Sequence, residues 1–368
     1  MSQRRRRFGV TGILEQSAPF IGFLASAVVL ILIVMGLGEK PGKALAGIYK
    51  FALSDPAKLA AILSISIPYY LSGLSIVIAF RAGVFNIGNE GQYFVGGMVG
   101  AIAGTYIPLP AFLHIPLVVI FSMLGGALWA LIPAVLKAMR GISEVITTIM
   151  FNNIALALVN FLVNGPLSGL QKGTSLEPQM KKLLPTAMFG KLNGFFRSIG
   201  WPVPNYVYLD YSLIVAIIMG LVIWFLLFRT RQGFEIRAVG TSMDVSRYAG
   251  IKVNRVQIGA FLLSGAIAGL IGLQEIFAIR GFYTYNLASG LGFDGIAISL
   301  IAKNSPVGII FSSALFAFLK QAGYGLQLFS KVPNSVTYAI QGLMILFIVA
   351  INEILVRVVR GMRKREVQ

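Results

Sequence analysis

The sequence has no cysteine and a single histidine, His114. Without thiols there is no disulfide framework, no thiolate nucleophile and no Cys metal site. With one imidazole, His metal clusters and Ser-His-Asp triads lack their parts, so no catalytic or metal-binding residues are assigned. Charge is scarce too: 12% of the 368 residues are charged, where a soluble domain carries about 25%. Acidic residues are the scarcest, 13 against 31 Lys+Arg, which leaves a net +18. A basic excess can mark a nucleic-acid binder, but such proteins are not dominated by apolar runs of roughly twenty residues. Nucleic acid is therefore not an expected partner, and attention moves to the 57% of residues that are hydrophobic.

A hydrocarbon core about 30 Å thick takes about 20 helical residues. Stretches of that kind fall between charged or Pro/Gly-rich breaks at 18–38, 59–80, 92–107, 116–137, 142–163, 211–228, 256–278, 290–302, 306–323 and 334–356. The third and eighth are short and glycine-rich, and read as broken or re-entrant. The expected fold class is an all-α membrane protein of about ten transmembrane helices. Residues 1–17 would be a basic cytoplasmic N-terminus, 18–356 one transmembrane domain, and 357–368 a basic cytoplasmic tail. Ten spans divide into two five-helix halves, and a repeat of odd length inverts its orientation, a common transporter plan. Gly83-Val84-Phe85-Asn86-Ile87-Gly88 and Gly290-Leu291-Gly292-Phe293-Asp294-Gly295 place glycines around Phe and a polar residue at corresponding breaks.

Lys and Arg resist translocation, so their positions set orientation. With both termini inside, the cytoplasmic side holds Arg4, Arg5, Arg6, Arg7, Arg81, Lys137, Arg140, the arginine-dense connection 229–255, and the tail. Inversion would put that connection outside. The apolar stretch after Arg7 is longer than a signal-peptide core and lacks a small-residue cleavage site, so it reads as an uncleaved anchor whose arginines also attract anionic lipid. Two outer segments, 39–58 and 164–210, are too long for tight turns. The second mixes Lys181, Lys182, Phe195, Phe196 and Trp201, either as a partner-docking cap or as a solvated connector.

Segment 81–92, Arg-Ala-Gly-Val-Phe-Asn-Ile-Gly-Asn-Glu-Gly-Gln, is the most informative stretch. Its glycines let the backbone leave the helix, and Asn86, Asn89, Glu90 and Gln92 can satisfy the freed groups. It lacks the Lys and flanking strand of a P-loop, so nucleotide hydrolysis would belong to another chain. An ionisable residue at membrane depth is a functional candidate; Glu90 can alternatively pair with Arg81 and cap the third helix. In the fifth span Glu144, Thr148 and Asn152 form one stripe and Asn153, Asn160 and Asn164 another. Both are costly against lipid and are expected to face the bundle interior, either as glue between helices or around a ligand. With Tyr69, Tyr70 and Phe85 they would suit an uncharged polar ligand with a flat ring. Gly96, Gly100 and Gly104, and Ser264, Ala268 and Gly272, read as close-packing stripes.

In the connection 229–255, Thr241 or Ser242 can cap a helix of about two turns, Asp244 suits its first turn, and Gly250 can end it. A capped helix flanked by arginines reads as a docking knob, with a lipid-binding connector as the alternative.

These segments, with Ser-Glu-Val-Ile-Thr-Thr-Ile-Met-Phe-Asn-Asn at 143–153, Arg-Ala-Val-Gly at 237–240, Tyr-Ala-Gly-Ile at 248–251, Ser-Gly-Ala-Ile-Ala-Gly-Leu at 264–270 and Gly-Phe-Asp-Gly-Ile-Ala at 292–297, resemble bacterial ABC importer permeases. The resemblance is to the branched-chain amino acid and ribose permease superfamily, closest to its nucleoside permeases, and covers about 59–356. It implies a permease subunit of an ATP-driven importer in the bacterial cytoplasmic (inner) membrane. The partners implied are an ABC ATPase, a second homologous permease and an extracytoplasmic substrate-binding lipoprotein. Membrane lipid and a small-molecule substrate complete the set. No cofactor is bound by this chain; ATP and Mg belong to the ATPase. The resemblance makes Glu235, Arg237, Ala238, Gly240, Asp244, Arg247, Tyr248, Ala249 and Gly250 the ATPase-coupling loop. Candidates for the substrate path are Tyr69, Tyr70, Phe85, Asn86, Asn89, Glu90, Gln92, Asn152, Asn153, Phe293 and Asp294. Related permeases carry riboflavin or pentose sugars, which keeps those substrates open. An ion-coupled secondary carrier is the alternative from another class, but Glu90, Glu144, Glu275 and Asp294 make a poor proton relay.

Overall fold

A computed structural model of the chain describes residues 40–169, 177–287 and 289–330, with isolated positions between 28 and 38 and between 342 and 357. The expected spans 18–38 and 334–356, the basic N-terminus and the tail lie outside the described residues apart from those positions, as does the N-in/C-in orientation they would define. Among the described residues the structure is helical and has no strands, only isolated bridges.

The helices are α1 Pro41–Ile48, α2 Pro56–Arg81, α3 Asn89–Tyr106, α4 Ala111–Arg140, α5 Glu144–Asn164, α6 Tyr211–Arg229, α7 Arg231–Thr241, α8 Met243–Tyr248, α9 Val253–Ala268, α10 Leu291–Ile301 and α11 Gly308–Ser330; a further short helix, Asn193–Ser198, lies between α5 and α6. Five of these, α2, α4, α5, α6 and α11, are long and apolar enough to cross a membrane. The chain divides into a larger unit, 60–316, and a smaller one made of 1–59 and 317–368. In the smaller unit α1 occupies part of the expected outer loop 39–58. There Gly47 meets Gly325 of α11, and Gln321 donates to the Phe51 carbonyl at 3.3 Å.

Local chemistry explains the helix ends. Asp55 precedes Pro56 and accepts from the Lys58 amide at 3.1 Å, an N-cap followed by proline at the first helical position. Gly83 stops α2 at φ +71, with the Val84 amide reaching back to Ala79 O at 3.1 Å. Asp210 caps α6 through the Ser212 amide at 2.8 Å. Burial raises the Asp210 carboxyl above the ordinary range, against hydrogen bonds from Ser212 and Gln274 that favour its charged form.

Three expectations change. The third span is not broken: α3 is a continuous helix of 18 residues, buried among its neighbours, so its polar side chains find protein partners instead of lipid. The seventh span is broken: α9 ends at Ala268, turns follow, and a π-helical segment Gln274–Arg280 stops at Gly281. The glycines at 269 and 272 weaken the helix there, and Gly269 lies against the Ser122 carbonyl of α4. The connection 229–255 holds two helices, because Thr230 accepts from the Gly233 amide at 3.1 Å and starts α7.

The segment after α5 packs as a cap over one end of the larger unit and is not a solvated connector. Leu184 donates to Gly104 O at 3.0 Å, Phe189 to Phe277 O at 2.9 Å and Met180 to Tyr283 O at 2.8 Å. At the other end Arg81 donates to Asn304 O at 2.8 Å, and α7 and α8 join it there through Gly240 and Met243, which pack on Gly83.

The core of the larger unit is a three-way backbone contact. A Cβ at Gly96 would strike Gly269, one at Gly126 the Gly265 carbonyl, and one at Gly265 would lie 2.5 Å from Ala130. The α3 stripe is the one expected from spacing; on α9 the closest contacts fall to Gly265 and Gly269, while Ser264 turns to a polar network. Close approach of this kind is how helices gain van der Waals contact in lipid. Gly126→Ala is expected to lower stability by about 1–3 kcal/mol. Gly259→Ala, with nothing within 4 Å of the added methyl, should leave it unchanged. Thermal unfolding in detergent, followed by tryptophan fluorescence, compares the two.

Candidate functional site

Between Gly83 and Asn89 the chain leaves the helix, and side chains from four helices satisfy it. Asn86 and Gln92 form a reciprocal amide pair at 2.9 and 3.0 Å. Asn86 also accepts from the Gly88 amide at 3.0 Å and donates to Ser264 Oγ of α9 at 2.9 Å. Asn89 donates to Ser72 Oγ at 3.0 Å and to Gly292 O at 3.2 Å, and accepts from Ser75 of α2. From α5, Asn152 donates to Ile87 O at 3.0 Å and accepts from the Gly91 amide at 2.9 Å. All these amides are buried, and their capacity is spent inside the protein.

Glu90 joins this network to a segment two hundred residues away. Its Oε1 accepts from the Gly290 amide at 2.6 Å and its Oε2 from the Gly292 amide at 2.7 Å. The carboxylate is thus shared by two helix N-termini, that of α3, in whose first turn it sits, and that of α10, both of which favour negative charge. The expected pairing with Arg81 is absent; Arg81 bonds Asn304 and lies 5.8 Å from the centre of the Phe228 ring. Gly290 has φ +91, and a Cβ at Gly292 would come within 2.5 Å of the Glu90 backbone nitrogen. Only glycine allows the two helix ends to meet this closely.

The other path candidates divide. Asp294 and Phe293 lie in the first turn of α10, with Phe293 exposed. Phe85 stacks on Phe80 with ring centres 5.1 Å apart. Tyr69 meets Phe316 edge-on at 5.7 Å, while Tyr70 turns to α6, its hydroxyl against Gly220. Asn153 is exposed and donates to Ile149 O of its own helix at 3.2 Å. The structure therefore brings together Asn86, Asn89, Glu90, Gln92, Asn152 and the start of α10, and leaves the two tyrosines and Asn153 out of that cluster. The stripe Glu144, Thr148, Asn152 faces inward, with Glu144 paired to Lys137 at 2.6 Å. Asn153, Asn160 and Asn164 face outward, which corrects the expectation for the second stripe.

The basic connection packs directly on this region. A Cβ at Gly240 of α7 would strike the Arg81 carbonyl, and Gly83 faces Gly240 from the other side. Glu235 pairs with Arg231 at 3.0 Å, Arg237 lies over Phe228 at 5.4 Å, and Ala238 O accepts from the Ser242 amide at 3.1 Å. Ser242 caps α8, with Asp244 in its first turn and Arg247 3.6 Å from Asp244. The Ala249 amide reaches Val245 O at 3.0 Å, and Gly250 follows at φ +79. Tyr248 is 94% exposed at the tip. Sequence reasoning missed Thr230 as a cap, and Gly290 and Gly292 as Glu90 partners. A Thr immediately before a possible helix was a visible signal for the first; nothing local signalled the second.

Residues 58–349 match the family described as the permease component of the branched-chain amino acid transport system. The chain belongs to this family. It is a transport component of a multi-pass membrane protein type, not an enzyme type. The guanosine ABC transporter permease protein NupP of Bacillus subtilis (strain 168) is 35% identical over 305 residues, 81% of this chain and 82% of its own length. The nucleoside ABC transporter permease protein NupB of Lactococcus lactis subsp. cremoris is 33% identical, covering 89% of this chain and 87% of its own. The glucose ABC transporter permease protein TsgB13 of Haloferax volcanii is 31% identical, covering 91% and 87%. No solved structure matches the permease at a significant level.

Glu90→Gln keeps the shape of the junction but turns an NH2 toward one of the two backbone donors. The loss is expected to be about 1–3 kcal/mol. Asn153→Ala, at an exposed position, should stay within about 0.5 kcal/mol of wild type. Equal unfolding temperatures for the two variants would count against the junction.

Proposed function

We propose that this permease forms half of the translocation path of an ATP-driven importer for nucleosides in a bacterial cytoplasmic membrane. The observation that carries the reading is the unbroken contact from an exposed knob to a buried helix junction. Tyr248 and Arg247 stand on α8, α7 touches the end of α2 through Gly240, and the next residues lead into Glu90 and α10. The knob would dock on an ABC ATPase that binds ATP and Mg. Close-packed backbone at Gly240 and Gly83 transmits displacement poorly as compression and well as rigid movement. ATPase states that grip the knob differently would then bias the arrangement of α3 and α10.

The exposed amides Asn153 and Asn160 of α5 would form a wall of the path: they are costly against lipid and suited to a polar ligand. A second homologous permease would face them across it. The cap at 177–210 presents exposed Phe195 and Tyr206 to an extracytoplasmic binding lipoprotein. The nucleoside assignment rests on the similarity to NupP and NupB; a hexose is the second reading, from TsgB13.

Uptake of labelled guanosine and of labelled glucose, in cells lacking their own carriers, separates the two readings; guanosine uptake is expected. Tyr248→Ala and Arg247→Ala should abolish uptake at unchanged membrane level and lose co-purifying ATPase. Because the chain has no cysteine, Tyr248→Cys gives a single label site. An impermeant maleimide should modify it only from the cytoplasmic side, and labelling from outside would reject the docking role.

A further inference from the structure

We propose that the larger unit holds one anionic glycerophospholipid, with an acyl chain in an apolar cleft between α2, α6 and α11 and the phosphate on Arg229. The cleft has a volume of about 690 Å³ and is lined by apolar side chains, among them Ile67, Ala216, Pro306 and Ile310. Along α6 it runs from Leu213 to Trp224, about 16 Å at the helical rise. That is about the depth of one leaflet of a 30 Å hydrocarbon core. Phe196 of the cap lines its far end.

The chemistry of the lining excludes the polar cargo. The Ser66 hydroxyl is spent on Leu63 O at 2.7 Å and that of Ser313 on Ile310 O at 3.1 Å, and the Tyr70 hydroxyl is tucked against Gly220. A nucleoside or sugar would leave its own hydroxyls and amides unpaired there, so the cleft stands apart from the path.

The Arg229 end supplies what an acyl chain alone does not need. Arg229 lies 5.8 Å from the centre of the Trp224 ring, which lines the cleft. Trp224 and Phe228 are 6.3 Å apart, and Arg81 and Arg237 lie over Phe228 at 5.8 and 5.4 Å. None of these three arginines has an ion pair among the described residues; in the same connection Glu235 pairs with Arg231 and Asp244 with Arg247. A charge-assisted phosphate contact complements this end, and tryptophan beside arginine is the usual interfacial setting for a lipid. A second copy would bring another +18 and no surplus of carboxylates, so it fits the rim worse than a phospholipid does.

The site requires only that the protein lies in a membrane, so its test is independent of uptake. The full chain is released from nanodiscs of phosphatidylethanolamine with phosphatidylglycerol and examined by native mass spectrometry. One retained phosphatidylglycerol is expected. Arg229→Gln, at an exposed position and checked for an unchanged unfolding temperature, should lower that retention about fivefold without changing phosphatidylethanolamine adducts. Ala314→Phe, which fills the cleft, should remove it. A benzoylphenylalanine at position 310 should crosslink to lipid. No lipid retained by the unaltered protein, equal retention in both variants, or a crosslink to peptide in place of lipid would each overturn the proposal.

Discussion

The structure turns on one carboxylate shared between two helix ends. Two segments of this chain, 82–88 and 281–287, abandon helical hydrogen bonding next to apolar helices, and the groups they free must be satisfied by the protein. Glu90 does this for α10 by accepting the Gly290 and Gly292 amides, while Asn86 and Asn152 do it for the start of α3. A buried carboxylate is costly unless its oxygens are bonded. Here both are, and the dipoles of two helices point at them. The same arrangement explains why Gly292 has no room for a side chain.

Around that junction, small residues decide distances. The contacts of Gly96, Gly126, Gly265 and Gly269 draw α3, α4 and α9 together, and the contact of Gly240 with Arg81 sets α7 on the end of α2. Neither contact leaves a gap to absorb movement. A shift of α7 therefore reaches the 83–92 segment as displacement, which is what a device driven from one end requires. The polar network at Ser75, Asn89, Ser264 and Asn86 ties the same helices laterally. Every amide in it is engaged within the protein.

The helical class, the five long apolar helices, the polar break at 83–88 and the capped knob at 242–250 were all legible, because each depends on neighbours in sequence. Ser242, Asp244 and Gly250 are a local cap, first-turn acid and stop, and the structure uses them that way. Helix α7 escaped notice because its buried positions, Gly233, Ile236 and Val239, are too few to make an apolar run. The break after Ala268 escaped because residues 256–278 are apolar apart from Gln257, Ser264, Gln274 and Glu275, and hydrophobic content is blind to helical continuity.

Residue order by itself determined where chain could lie in lipid and where it could not, since the transfer of a side chain from water to hydrocarbon is a property of that side chain. It determined helix ends for the same reason: a cap acts within one turn. Only the tertiary structure decided which way each polar group points. Glu90 meets amides two hundred positions on, and Asn152 turns inward while Asn153 beside it turns outward. A hydrogen bond needs its donor within about 3 Å, and distances between remote segments exist only after the helices have packed.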